Sequence, residues 1–318
     1  MCGERAIESQ IQTESVTEVR GTSATKKPHT AVAMAALALS GCLWGTGFLF
    51  GKIAFEQMSV AENVLWRFVT GAALLTPILF MQHAKKFKRR DWGLLLIAAF
   101  IGVPVQFLVQ FKGLQMTTVS HAALMVGTLP MMLALSSVIF LHERLKAVEW
   151  LMLGLSGVGA VLIAASRSGA NGPRASALGD ALVVVSLMAA VVMILLTKHL
   201  MREYGALYVT VMMIGLGTLM VVVWFMATEH LRFNFSRHVW TAAIAQGVLA
   251  TAMAYAFWNW GLAWVPASRA GVFLNMEPLV GTILGVLVLK ERLGVLAILG
   301  GVMIIGAAVY FSRRSEAG

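Results

Sequence analysis

The stretch VFLNMEPLVGTILGVL, residues 272–287, is almost wholly apolar, yet it carries Asn275 and Glu277, and Glu277 stands directly before the helix breaker Pro278. A carboxyl group there can take up a proton or pair with a solute amine, and the Asn275 amide can bind a polar group. Pro278 removes a backbone N–H and clashes with the preceding turn. In hydrocarbon the freed carbonyl is tolerated only where it faces protein or a wet cavity. An ionisable residue at mid-membrane costs about 2.5–3.5 kcal/mol. Both features direct this segment toward a bundle interior. Two roles fit Glu277: a site for protons or a substrate amine, or a buried protonated carboxyl bonded to a neighbouring helix.

Other polar residues interrupt apolar runs in the same way. Gln106 and Gln110 are one helical turn apart and share a face, which suits hydrogen bonds to a polar solute or between helices. His121 opens an apolar run and could relay protons, although a lone His is more often structural. Tyr255, Trp258 and Asn259 stand at i, i+3 and i+4, an aromatic wall with one amide that suits an amphipathic or aromatic solute. Trp44 lies among small residues in GCLWGTG, as a gate, a cavity wall or a plug. Arg67, in WRFV, could hold a substrate carboxylate, but the favoured expectation is that it lies near the membrane face and snorkels. Glu62, five residues earlier, points away from Arg67 and is a poor partner for it. Gly41/Gly45, Gly47/Gly51 and Gly281/Gly285 are each four apart, a spacing for close helix packing.

The elements that must hold these groups follow from composition. The chain has 318 residues, 58% hydrophobic and 13% charged, against roughly 25% charged in soluble domains. It reads as an integral membrane protein. Its net charge of +10 comes mostly from basic residues flanking apolar runs, so no nucleic-acid partner is expected. Cys2 and Cys42 imply neither a disulfide framework nor a thiolate metal site. Residues 1–30 read as a disordered tail. Spans of about 20 apolar residues fall near 32–51, 60–81, 92–111, 118–141, 147–166, 180–200, 207–227, 239–261, 267–289 and 294–312. The run Lys85, Lys86, Lys88, Arg89, Arg90 marks its loop as cytoplasmic and places both termini, including residues 313–318, inside.

The chain also repeats. GLQMTTVSHAALMVGTLPMMLALSSVIFLHERL (113–145) aligns without a gap on GLAWVPASRAGVFLNMEPLVGTILGVLVLKERL (261–293), at an offset of 148 residues. Pro130 matches Pro278, His121 matches Arg269, and Glu143-Arg144-Leu145 matches Glu291-Arg292-Leu293. The halves, 31–166 and 178–312, hold five spans each. An odd number makes the second copy lie upside down. The expected architecture is an all-α membrane protein of ten transmembrane helices in two inverted five-helix repeats, with Pro130 and Pro278 as equivalent kinks. Two such halves can exchange inward-open and outward-open states around one central site.

The segments LWGTGFLFGK (43–52) and WRFVTGAALLTP (66–77), and the two spans ending HERL and KERL, resemble the EamA-type exporters of the drug/metabolite transporter superfamily. The resemblance covers about residues 31–314 in two copies. It implies a ten-helix secondary transporter of the bacterial inner membrane exporting amino acids or other small metabolites, aromatic amino-acid exporters being one relative type. It does not fix the substrate, and Leu129 stands where the second half has Glu277.

The expected function is therefore export of small metabolites, amino acids or amphipathic drug-like compounds, by alternating access, with proton coupling through Glu277 as an option. An uncoupled facilitator or a channel for small neutral solutes is the alternative. No enzyme motif, nucleotide-binding loop or metal cluster is present. No cofactor is expected. The expected partners are a small-molecule substrate, the bilayer and, if coupling holds, protons, in a monomer or homodimer.

Overall fold

A computed structural model of the chain describes residues 30–81, 86–141, 146–166, 175–265 and 270–314. The two tails, Lys85, Glu143-Arg144-Leu145 and Arg269 lie outside the described residues. Among the described residues every regular element is a helix. In chain order these are α1 (Thr30–Ala54), α2 (Val60–Met81), α3 (Arg89–Met116), α4 (Val119–Val126), α5 (Leu129–Leu141), α6 (Ala147–Ala165), α7 (Ala177–Tyr204), α8 (Ala206–Thr228), α9 (Arg237–Leu262), α10 (Met276–Leu287) and α11 (Val295–Arg314).

Among the described residues seven helical stretches are long and apolar enough to cross a membrane: α1, α3, Val119–Ser136, α6, α7, α8 and α9. Shorter apolar helices cover Phe273–Leu287 and Val295–Tyr310. α2, with 22 residues, also has the length of a span and carries Glu62, Asn63 and Arg67 toward its start. Helices α3, α7 and α9 extend beyond the expected 92–111, 180–200 and 239–261, because polar end turns continue them past their apolar cores.

Local chemistry explains the helix ends. Ser176, Ser236 and Thr118 cap the next helix, accepting hydrogen bonds from Gly179 N, Val239 N and His121 N. Gly205, at φ +91°, separates α7 from α8, a backbone conformation only glycine adopts cheaply. The two prolines fall at helix starts rather than inside continuous helices. α4 stops at Val126 and α5 begins at Leu129, so Pro130 is its second residue. A 3₁₀ turn, Gly271–Asn275, leads into α10, whose third residue is Pro278. In a first turn the missing N–H has no partner to lose, which is why Pro is tolerated there.

A second correspondence was not expected from the sequence. α3 contains a π-turn at Ile101–Val105 and α9 one at Val248–Met253, 148 residues on to within one position. Packing is likewise duplicated: α3 lies on α7 as α9 lies on α1. Glycines set the closest approaches. A Cβ on Gly45 would stand 2.8 Å from Glu277 O and 2.9 Å from Gly281 N, while Gly41 meets Phe273 and Met276, so α1 and α10 run parallel in contact. Gly159 faces Gly300 and Ile304, and Gly300 faces Gly159 and Ile163, so α6 and α11 run antiparallel. Gly285 meets Ser120 where Gly281 meets Ala123, so α10 runs antiparallel to α4. The largest buried cluster includes Phe48, Phe68, Phe107, Phe111 and Phe225, drawn from both halves.

Candidate functional site

Among the described residues Arg67 is the least exposed of the lysines and arginines. It is only 5% exposed, which corrects the expectation that it snorkels to the membrane face. Its Nε donates to Thr251 Oγ1 at 3.0 Å and its Nη2 to Ala250 O at 3.3 Å. Both acceptors belong to the π-turn of α9, whose widened hydrogen-bond pattern leaves backbone carbonyls available. The guanidinium carbon lies 4.5 Å from the Phe107 ring centre, with Phe68 and Phe111 at 5.4 and 5.3 Å. A planar, weakly hydrated guanidinium stacks on such rings more readily than an ammonium does. The sequence placed Arg67 near the surface because neither the π-turn nor the phenylalanine cradle is visible in a hydropathy pattern.

Arg67 also interacts electrostatically with Glu277 and Tyr255, from α10 and α9. Glu277 is half-buried in the first turn of α10, held there by the contact of Gly45 with its backbone. Asn275, two residues earlier, is buried. A cation from the first half and a carboxylate from the second thus stand within each other's field.

Beside them α1 and α9 bring three aromatic rings together. Trp44 meets Tyr255 edge-on at 5.5 Å between ring centres and Trp258 at 5.2 Å. Asn259 leaves this group, contrary to the expected single face. Its Nδ2 donates to Tyr255 O at 2.8 Å and its Oδ1 accepts from Thr210 Oγ1 at 3.4 Å, tying α9 to α8. One helical position is enough to turn the amide from the aromatic cluster into a helix contact.

Gln106 directly follows the α3 π-turn, Gln110 lies one turn further on, and both are buried. They share a stripe with Gly102 and Gly113, which press on Met193 and Gly179 of α7, so this face looks into the α3–α7 contact. The Gln106 Oε1 is buried and has no hydrogen-bond partner, the mark of a position where a water or solute completes the bonding. Asn63 and Gln246 are among the polar residues that escaped the sequence reading. Asn63 Nδ2 donates to Gln246 Oε1 at 3.1 Å, and Gln246 Nε2 donates to Gly47 O at 2.6 Å, linking α2, α9 and α1. The signal available was an amide in each otherwise apolar run.

His121 belongs to a different cluster, at the end of the bundle opposite Arg89. Its Nδ1 lies 3.0 Å from Asp180 Oδ2, both side chains being 1% exposed, and Asp180 Oδ1 accepts from Thr117 Oγ1 at 2.5 Å. Lys52 Nζ donates to Leu114 O and Thr117 O at 3.0 and 2.5 Å. Lys290, at φ +56°, turns the chain so that Glu291 accepts from Val119 N and Ser120 N, each at 2.8 Å. These bonds close one end of the bundle, joining the first half (Thr117, His121) to the second (Asp180, Glu291). Glu62 is likewise engaged elsewhere, with Arg232 at 2.5 Å.

The EamA-like transporter family model matches residues 31–165 and again 177–313. The chain belongs to this family, and its two matches fall on the two sequence repeats. It is 24% identical over 285 residues to "Uncharacterized transporter YetK" of Bacillus subtilis (strain 168), covering 86% of each chain. It is 23% identical over 282 residues to an "Uncharacterized transporter" of Archaeoglobus fulgidus, covering 88% of this chain and 96% of the relative. A solved structure described as "Crystal structure of protein" superposes with a TM-score of 0.61 at 16% identity, over 89% of this chain and 98% of that one, which shows a shared fold. The protein is an integral membrane transporter and not an enzyme.

Proposed function

We propose that this transporter is a secondary carrier that exports small amphipathic metabolites, amino acids among them, across a bacterial inner membrane by alternating access. Ten spans in two inverted repeats form its frame, with both termini in the cytoplasm. Supporting the inversion are the antiparallel pairs α6–α11 and α4–α10, each joining equivalent helices of the two halves. The observation that carries the reading is the Trp44–Tyr255–Trp258 cluster, with buried Arg67 from the first half and Glu277 from the second close enough to act on one another electrostatically. Opposite charges next to an aromatic wall suit a solute with a charged head and an apolar body, and each aromatic contact contributes about 0.5–1.5 kcal/mol. Gln106 supplies a further polar contact on α3. Glu277 is the proton-coupling candidate. The joined Thr117–His121–Asp180–Glu291 end is the closed gate, and exchange of roles between the halves opens it.

Reconstitution into proteoliposomes tests this. Saturable uptake accelerated by unlabelled solute inside the vesicle is the expected result, whereas linear, non-saturating flux favours a channel. Glu277→Gln is expected to abolish transport driven by a pH gradient while sparing exchange. Unchanged gradient-driven flux removes the coupling role from Glu277.

A further inference from the structure

The far end of α7 carries a feature that transport does not use. Leu195, Lys198, His199, Arg202 and Glu203 line a concavity of about 520 Å³ at the bundle end that bears Arg89. Lys198, His199 and Arg202 are exposed. The pocket's acid is already engaged, since Glu203 pairs with Lys88 at 3.3 Å. The segment 86–90 is fastened alongside: Lys88 N donates to Tyr204 OH, and Phe87 packs on Tyr204 and Tyr208. Lys86, Arg89 and Arg90 are exposed on it. The nearby acid Asp91 is buried, accepts from Tyr204 OH and offsets only one of these cations, so the surface stays basic.

Below the pocket the same helix face turns apolar without a break. Val185, Met188 and Val192 are 52, 60 and 39% exposed, and with Leu195, His199 and Arg202 they advance by alternating steps of three and four residues. That spacing is one stripe of a helix. From Leu178, which is also exposed and on the same spacing, to Leu195 the stripe climbs about 26 Å at 1.5 Å per residue. This approaches the full depth of a hydrocarbon core about 30 Å thick. The cations therefore begin at the depth where acyl chains end and headgroup phosphates sit.

We propose that this stripe and pocket form a binding site for an anionic phospholipid, its acyl chain along Val185–Met188–Val192 and its phosphate between Lys198, His199 and Arg202. Arg202 offers the phosphate a bidentate fork and Lys198 a point charge. Clusters of basic residues at the membrane surface select anionic lipids in this manner.

The test uses the purified full chain, with native mass spectrometry and thermal melting in detergent. Phosphatidylglycerol, phosphatidylcholine and inorganic phosphate are each added as probes. Wild type is expected to retain phosphatidylglycerol about tenfold more tightly than phosphatidylcholine and to melt later with it. The double variant Lys198→Gln/Arg202→Gln is expected to lose that preference, and Lys112→Gln, at the opposite end, to keep it. The charge-conserving Lys198→Arg/Arg202→Lys pair is expected to retain most of it, separating lost binding from lost folding. Equal retention of both lipids, in wild type or between wild type and the double Gln variant, overturns the proposal. Protection by inorganic phosphate alone also overturns it, in favour of a free-anion site.

Discussion

Arg67 spends its donors on a carbonyl and a hydroxyl that exist in the right place only because α9 widens into a π-turn. Lysine has the charge but not the fork. Arg67→Lys is therefore expected to leave the chain inserted while lowering transport about tenfold or more, the equivalent of losing one charge-assisted hydrogen bond of about 1.5–3 kcal/mol. Initial rates in proteoliposomes at matched protein density measure this. Trp44→Ala removes the ring that Tyr255 and Trp258 share. It is expected to raise the KM for aromatic or amphipathic solutes several-fold with little change in melting temperature. Altered abundance with normal KM assigns Trp44 to scaffolding alone.

Helix contacts carry a different kind of prediction. Gly45 has backbone atoms of α10 less than 3 Å from where its Cβ would lie. Gly45→Leu is expected to separate α1 from α10, displace Glu277 and destabilise the fold by about 1–3 kcal/mol, the range for overpacking, read as a lower melting temperature in detergent. The His121–Asp180 pair joins α4 to α7 in a fully buried setting. Removing one partner of such a pair costs about 3–5 kcal/mol. Asp180→Ala is expected to open that end of the bundle. A cysteine at Gln110, in a chain with Cys2→Ser and Cys42→Ser, then labels faster with an impermeant thiol reagent added from that side. An unchanged rate denies the pair a closing role. At the other end Glu203 raises the Lys88 ammonium above its ordinary value. A raised base contributes fully below its unfolded pKa and loses its contribution only as pH rises through the folded value. The α3–α7 contact there is therefore expected to be insensitive to pH between about 6 and about 9, checked by cross-linking yield across that range.

For the molecule as a whole the inverted-repeat reading has a geometric consequence. Gly159 and Gly300 lie on equivalent helices, with a Cβ on the first only 2.7 Å from the carbonyl of the second. A Gly159→Cys/Gly300→Cys pair is expected to cross-link within one chain in the same cysteine-free background once the two helices move apart enough to admit both Cβ atoms. Failure to cross-link in inserted protein contradicts the antiparallel packing of α6 and α11. The membrane class and the repeat were legible because hydropathy and a constant offset survive at the level of residue type. Pro130 and Pro278 were legible as interruptions because proline cannot continue a backbone ladder, whatever surrounds it. The destinations of Asn259, His121 and Arg67 were not, because each depends on a partner more than 45 residues away: Thr210, Asp180, and Thr251 with Ala250.

Sequence alone determined that this chain lives in lipid, that it is built twice, and that its few polar groups within apolar runs must face inward, since hydrocarbon offers them no partner. Only the tertiary structure decided which of them meet. It put Arg67 against the Phe107 ring and the α9 π-turn, gathered Trp44 with Tyr255 and Trp258, and sent His121 to an acid at the bundle end. The physical reason is that burial is a property of one residue, whereas a hydrogen bond or ring contact is a property of two, and the second is chosen by how the helices pack.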